Sequence, residues 1–343
     1  MTEGARLKVA CVGAGYFSRF HYGSWSRIAR VDLVGACDRD PARARATGLP
    51  AYDDLSAMLA SQSPDLLDVI LPPDAQATAI RAALAAGVRW IICQKPFCRD
   101  LDEASEVMHD AANAGATIII HENFRFQPWY RAIRAALDRG AIGQVHQMTF
   151  RLRPGDGQGP DAYLARQPYF QKMTRFLVRE TAVHWVDTFR YLLGSPVAVY
   201  ADLRRINPAI AGEDAGHILF EHPGGARALF DGNRHLDHAA DNLRRTMGEA
   251  LVEGTEGTLN LWGDGSVTLR RFGGVETSTI LPADTWDGFG GDCVHALQCH
   301  VVAGVLDGTP LENRAEEYLE VIRVERAIYL AAEQGRRIVL GNG

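Results

Sequence analysis

Two short stretches of the chain contain residue types that could move a proton. Lys95 follows the apolar run Trp90–Cys93. Its ammonium is therefore expected at the carboxyl edge of a parallel sheet, where ligands bind in such folds. Glu180 and His184 are four residues apart, so they share a face if the segment is helical. A lysine can hydrogen-bond a substrate oxygen, and an imidazole suits general-base work near neutrality. A surface lysine and a structural histidine are the plainer alternatives.

A glycine turn near the start of the chain predicts a site for a dinucleotide. The apolar run Leu7–Val12 ends in Gly13-Ala14-Gly15, and a segment able to form a helix follows at once. Such a turn presents backbone N–H groups and the positive helix end to a diphosphate. Ser18 stands where the third glycine of the G-x-G-x-x-G pattern would be. An ordinary glycine turn without a ligand is the alternative.

Asp38 ends the second apolar run, where a carboxylate would accept hydrogen bonds from an adenosine ribose. It therefore favours NAD, although a solvated acid at a strand end is the plainer interpretation. Arg39 could accept a 2′-phosphate and leaves NADP open. Leu71 and Pro72 could form a wall against the cofactor, or a purely structural turn. The complete set of cofactor-contact candidates is Gly13, Gly15, Tyr16, Phe17, Asp38, Arg39, Leu71, Pro72, Gln94 and Lys95.

The first third of the chain alternates predicted strands and helices. Nearly continuous apolar runs, typical of buried parallel strands, occur at 7–12, 31–37, 66–71, 89–93 and 116–121. Helical segments are predicted near 15–29, 53–61, 74–86 and 100–114. This alternation predicts an α/β Rossmann domain with a doubly wound parallel sheet, over residues 1–123.

The remainder, residues 124–343, predicts an α+β domain for substrate binding and oligomerisation, with a large, mainly antiparallel open sheet. Helices are expected at 128–139, 180–193, 289–307 and 314–335, the last two packing back toward the first domain. Extended segments are expected at 143–153, 197–206, 215–222, 225–235, 247–254, 257–262 and 266–272, with a last short strand at Val339.

Composition excludes several classes of protein. The formal net charge is −6, with no block of like charge, which argues against nucleic acid as a partner. No apolar run approaches 18 residues and the N-terminus lacks a signal region, so we expect a cytoplasmic protein without membrane contact. Neither the six cysteines nor His235 and His238 have the spacing of a metal motif, and we expect no metal.

Four motifs in this order resemble the Gfo/Idh/MocA oxidoreductase family. They are GAGYFSRFH near the start, QKP at 94–96, NFRFQPWYR at 123–131 and ETAVHWVD at 180–187, and GTEGTLNLWGDG at 254–265 extends the resemblance. It covers nearly the whole chain. In that family a Rossmann domain precedes an α+β domain with a large, predominantly antiparallel sheet.

The resemblance implies roles for individual residues. Lys95 matches the lysine of the family's E-K-P motif, and His184 matches the histidine of D-x-G-x-H, the usual acid/base. Glu180 stands at the aspartate of that motif, where it would orient His184. Ala182 replaces its glycine, and Gln94 replaces the glutamate before the lysine. These departures predict a divergent subfamily.

The implied activity is NAD(P)-dependent oxidation of a secondary hydroxyl of a sugar, cyclitol or sugar acid. Two alternatives remain. One is a redox-neutral enzyme with retained NAD, in which a transient oxidation is followed by elimination or transfer and then by re-reduction, and the other is a nucleotide-sensing regulator without catalysis. The family's open sheet faces commonly pair, which implies a homodimer or homotetramer. The candidates for substrate contact are Asn123, Arg125, Trp129, Tyr163, Tyr169, Lys172 and Asp187, with packing as the alternative for the aromatic residues.

Overall fold

The computed structural model describes residues 4–341 and divides the chain into two compact units. Unit 1 takes in residues up to Asn123 together with Val294–Ile322. Unit 2 takes in Phe124–Cys293 and the residues from Arg323 onward.

Unit 1 is a doubly wound parallel sheet, as the sequence predicts. Its strands are β1 (Leu7–Val12), β2 (Val31–Cys37), β3 (Ala51–Tyr52), β4 (Leu66–Val69), β5 (Trp90–Gln94) and β6 (Thr117–His121), in the order β3-β2-β1-β4-β5-β6. All neighbours pair in parallel. The helices are α1 (Ser18–Trp25), α2 (Pro41–Ala46), α3 (Leu55–Gln62), α4 (Pro73–Ala85) and α5 (Leu101–Asn113).

Some predicted boundaries in unit 1 were wrong. The helix expected at 15–29 covers only Ser18–Trp25, because Gly15–Phe17 belong to the tight turn that precedes it. The strand expected at 66–71 ends at Val69, and Pro73 already begins the next helix. The short elements α2 and β3 were not predicted, since six and two residues are too few for a hydrophobic period to show.

Unit 2 contains a nine-stranded sheet, predominantly antiparallel as predicted. Its strands are β7 (Val145–Leu152), β8 (Ala198–Arg204), β9 (Ala215–Glu221), β10 (Arg227–Asn233), β11 (Gly248–Gly254), β12 (Gly257–Leu261), β13 (Val267–Arg271), β14 (Thr277–Leu281) and β15 (Ile338–Val339). The order is β14-β13-β12-β11-β7-β10-β9-β8-β15, and among the described strands of this sheet only the β7–β10 pair is parallel.

Two helices, α6 (Pro128–Asp138) and α7 (Val183–Leu193), belong to unit 2. The Trp185 ring on α7 stacks on Phe150 of β7, with ring centroids 4.2 Å apart, and fixes the helix against the sheet. The helix expected at 180–193 is α-helical only from Val183, because a π-helical turn occupies Leu177–Ala182. The described residues also form the helices α8 (Cys293–Asp307) and α9 (Ala315–Gln334). Among the described residues, no helix is long and apolar enough to cross a membrane.

Candidate active site

The glycine turn has the backbone geometry that a diphosphate-binding loop requires. Gly13 has φ +103°, and a side-chain carbon there would clash with the carbonyl oxygen of Ile70. Glycine is therefore required at this position. Gly15 is exposed, with open space where a side chain would be. The Ser18 hydroxyl donates to the carbonyl of Gly15 at 2.7 Å and joins the turn to the first residue of α1.

The Asp38 carboxylate lies directly beside this turn. It accepts from the backbone N–H of Ala14 at 2.7 Å and from that of Asp40 at 2.9 Å. The same side chain therefore fixes the glycine turn and the chain that leaves β2. Each carboxylate oxygen has a second lone pair, so ribose hydroxyls can still donate to it.

The other cofactor candidates outside the Lys95 turn follow the ends of β1, β2 and β4 in the sequence. Tyr16 and Phe17 are half-buried in the turn, and the Tyr16 hydroxyl accepts from Arg19 at 2.8 Å. Arg39 and Pro72 are exposed, and Leu71 is half-buried. In the parallel sheet of unit 1 the strand order reverses between β1 and β4. Dinucleotides bind at such a switch point in doubly wound folds. The residues present fit a dinucleotide.

Lys95 follows β5, in a turn fixed by two glutamine side chains. The Gln94 amide oxygen accepts the backbone N–H of Lys95 at 2.9 Å. The fully buried Gln76 amide donates to the carbonyls of Gln94 and Pro96, at 2.8 and 3.1 Å, and accepts the N–H of Cys98 at 2.7 Å. The Lys95–Pro96 peptide bond is cis. The Lys95 side chain is half-buried and emerges from a turn whose backbone is held on both sides.

His184 lies in unit 2, in the first turn of α7. Its imidazole stacks face to face on Phe124, with ring centroids 3.8 Å apart and planes 4° from parallel. Only 7% of the residue is exposed. Glu180 is half-buried in the preceding π-helical turn, and its N–H donates to the carbonyl of Phe176 at 2.8 Å. This stacking fixes the plane of the imidazole, in which both ring nitrogens lie.

Two substrate candidates form a buried ion pair with each other. The Arg125 guanidinium donates to both carboxylate oxygens of Asp187, at 2.8 and 2.5 Å. Asp187 is 1% exposed. This pair joins the turn Phe124–Phe126, which carries the ring under His184, to α7, which carries His184 itself.

The remaining substrate candidates are distributed between core and surface. Trp129 is fully buried and donates from Nε1 to the side-chain oxygen of Gln127 at 2.8 Å. Asn123 is buried, whereas Tyr169 and Lys172 are exposed.

Tyr163 is buried in a cluster of charged and polar groups that sequence reasoning missed. The carboxylate of Asp156 accepts from Arg234 at 2.8 and 3.1 Å and from Arg166 at 3.0 Å. The Tyr163 hydroxyl accepts from Arg234 Nε at 2.7 Å, and Thr181, beside Glu180, accepts from Nη1 at 2.6 Å. Burial alone would raise the pKa of Asp156, but the two guanidinium groups lower it below its ordinary value. No signal in the sequence pairs Arg234 with a carboxylate 78 residues away.

Comparisons with known proteins decide the family. Residues 7–122 match the model of the oxidoreductase family with an NAD-binding Rossmann fold, and residues 130–260 match the GFO/IDH/MocA C-terminal domain. The chain belongs to the Gfo/Idh/MocA family. Unit 1 is therefore an NAD-binding domain, and the chain is an oxidoreductase, as the motifs predict.

Several relatives cover almost the whole chain. A D-apiose dehydrogenase of Paraburkholderia graminis is 32% identical over 98% of this chain and 90% of its own. A D-apiose dehydrogenase of Rhizobium rhizogenes is 28% identical over 99% of both chains. An oxidoreductase of Agrobacterium radiobacter, solved with NAD+, L-tartaric acid and magnesium, is 27% identical, has a TM-score of 0.88 and covers 98% of each chain. This Gfo/Idh/MocA member is thus similar to two sugar dehydrogenases and to an oxidoreductase that was solved with NAD+.

The Asp38 carboxylate provides a test of cofactor choice. Replacing Asp38 by Asn keeps an oxygen for the Ala14 N–H but removes the charge that would repel a 2′-phosphate. We expect the ratio of kcat/KM for NADP to that for NAD to rise about tenfold, equivalent to ~1.4 kcal/mol. Steady-state kinetics with both cofactors measure this ratio. An unchanged ratio would show that Asp38 does not select the cofactor.

Proposed function

We propose that this protein oxidises a secondary hydroxyl of a small sugar, cyclitol or sugar acid, with NAD as the hydride acceptor. The observation that carries the proposal is the Lys95 turn, fixed by Gln76 and Gln94 at the end of β5 in an NAD-binding domain. The substrate class is supported by the D-apiose dehydrogenases that cover nearly the whole chain.

In this proposal Lys95 and His184 handle the hydroxyl proton. The Lys95 ammonium hydrogen-bonds the substrate oxygen and stabilises the negative charge that develops as the proton leaves. His184, stacked on Phe124, accepts that proton as general base. Glu180 orients His184. Bound NAD supplies the acceptor for the hydride, and unit 2 supplies the groups that select the substrate.

A panel of substrates tests the proposal. Purified protein is incubated with NAD or NADP and D-apiose, D-xylose, myo-inositol, levoglucosan or L-tartrate, and absorbance is followed at 340 nm. Steady production of NADH from at least one of them is expected. Substrate consumption without net NADH would indicate the redox-neutral alternative, and cofactor binding without any turnover would indicate a regulator.

We also propose that the chain is a homo-oligomer, paired through the open face of the sheet in unit 2. Side chains in register across five strands, Tyr200, Leu219, Leu229, Thr149 and Leu251, form a largely apolar row on that face. Tyr200 and Leu219 are 43% and 39% exposed. A largely apolar row of this kind on the open face of a sheet is typical of an interface.

Replacing Leu219 by Arg introduces a charge into the most exposed part of this row, beside Tyr200. We expect the variant to elute as a monomer of 37.6 kDa in light scattering coupled to gel filtration, while the unchanged chain elutes as a dimer or tetramer. Leu330→Arg on α9 is the matched control, because Leu330 is 37% exposed but does not belong to the sheet. Equal masses for all three proteins would exclude this face as the interface.

A further inference from the structure

A chain of hydrogen bonds in unit 1 leads from two fully buried side chains to Lys95. The Asp68 carboxylate on β4 lies 2.8 Å from Nδ1 of His21 on α1 and accepts from Trp25 Nε1, also at 2.8 Å. Nε2 of His21 lies 3.0 Å from Nε2 of Gln94, whose amide oxygen accepts the backbone N–H of Lys95. Neither His21 nor Asp68 has any exposed surface.

The orientation of the Gln94 amide fixes the proton on His21. The Lys95 N–H can only donate, so the group facing it must be the amide oxygen of Gln94. The amide nitrogen then faces His21 and donates to Nε2, which must be unprotonated. The single ring proton therefore lies on Nδ1 and is donated to Asp68. His21 is held as the neutral Nδ1–H tautomer.

We propose that Asp68 and His21 are positioning residues for Lys95 and act through Gln94. Asp68 selects the tautomer of His21, the bare Nε2 orients the Gln94 amide, and the amide oxygen holds the Lys95 backbone. This inference rests on the proposed function of Lys95 in handling the hydroxyl proton. It also gives a physical reason for an amide before the lysine, where the family motif has a carboxylate.

The variant Gln94→Glu tests this arrangement with the smallest change of shape. One carboxylate oxygen can still accept the Lys95 N–H, but the other faces the unprotonated Nε2 of His21. The introduced carboxylate oxygen and Nε2 are then two acceptors in contact, and they repel each other. The repulsion is relieved if His21 takes up a second proton and pairs with both Asp68 and the introduced carboxylate. Activity of the variant should therefore depend on protonation of His21.

Other titratable groups near this chain are Cys11 on β1, Tyr22 on α1, Cys93 on β5 and His121 on β6. Burial, with the Asp68 charge as a lesser cause, raises the pKa values of Cys11, Tyr22 and Cys93, so these groups stay neutral in the assay range. The His121 ring lies against His21, with centroids 4.0 Å apart. A double variant that combines Gln94→Glu with His121→Asn separates the contribution of His121 to the pH profile.

The experiment compares pH profiles of kcat for the unchanged protein, Gln94→Glu and Gln94→Met. The methionine variant is the matched control, because it removes both hydrogen bonds without adding an acceptor. We expect kcat of Gln94→Glu, relative to the unchanged protein, to fall about tenfold between pH 6 and pH 9, whereas Gln94→Met is slower by a constant factor. KM for NAD, measured in the same assays, shows how much of each loss comes from cofactor binding, because Gln94 is also a candidate for cofactor contact. If the pH profile of kcat for Gln94→Glu ran parallel to that for Gln94→Met, the proposal would be overturned.

A spectroscopic measurement keeps the inference testable if the glutamate variant does not fold. Imidazole 15N chemical shifts of the unchanged protein, assigned with His21→Asn, should show the Nδ1–H tautomer of His21 at pH 7. An Nε2–H or doubly protonated ring would overturn the inference. Failure of the proposed function is a separate result: if Lys95→Met kept full activity, Lys95 would lose its role, whereas the His21 tautomer would be unaffected.

Discussion

Replacing Lys95 by Met is expected to lower kcat by about 10²–10⁴-fold, the range for loss of a positioned proton-handling group. The side chain keeps its length but loses its hydrogen-bond donors and its charge. The turn that carries it is fixed by Gln76 and Gln94 through backbone atoms, so the local structure should be unchanged. The dissociation constant for NAD, measured by fluorescence titration, should change by less than about threefold.

A matched control for Lys95→Met is Lys8→Met. Lys8 is exposed and lies at the start of β1, and we assign it no role in catalysis. This control should keep kcat within about twofold of the unchanged protein. If Lys95→Met keeps kcat as well, Lys95 does not handle the proton. If both kcat and NAD binding are lost, Lys95 contributes to cofactor binding, and its effect on chemistry has to be measured in single turnovers with saturating NAD.

Replacing Asp156 by Leu is expected to cost about 3 kcal/mol of unfolding free energy. The Arg234 side chain is 3% exposed, so the variant leaves a buried guanidinium without its carboxylate. Urea denaturation at pH 7, followed by circular dichroism, measures the loss. The double variant Asp156→Leu with Arg234→Met should recover much of it, because both buried charges are then absent.

The same pair gives a pH dependence of known sign. The folded-state pKa of Asp156 is lowered, so its stabilising contribution is complete above the unfolded-state value of about 3.9. It is lost as pH falls through the lower, folded-state pKa. The difference in stability between the unchanged protein and Asp156→Leu should therefore be constant above about pH 5 and shrink in stronger acid. As a control, Asp138→Ala, which breaks an exposed ion pair with Arg134, should leave stability nearly unchanged. A difference that grew in acid would contradict this account.

The fold and the glycine turn of the NAD-binding domain could be predicted from the sequence because their signals are local. Leu7–Val12, Gly13 and Asp38 are close in sequence, and each has a pattern that one physical requirement explains: burial, a positive φ, or a charge at a strand end. Lys95 could be placed because the end of a buried strand fixes where the next side chain lies.

The supporting residues could not be predicted, because their partners are distant in sequence. Arg125 and Asp187 stay candidates for substrate contact, but the sequence did not predict that they bind each other across 62 positions. A sequence does not show whether a guanidinium points to solvent or to a buried carboxylate. One signal was available: Asp68 interrupts the apolar strand Leu66–Val69, and a carboxylate inside a buried strand requires a partner. That partner, His21, is 47 positions away.

The most direct test of the central claim is the formation of NADH by the purified protein and its variants. With the best substrate of the panel and saturating NAD, the unchanged protein should produce NADH at a steady rate, and both Lys95→Met and His184→Asn should be slower by at least about a hundredfold while still binding NAD. Steady turnover that persists in both variants would contradict the proposal that these two residues handle the proton of the reacting hydroxyl.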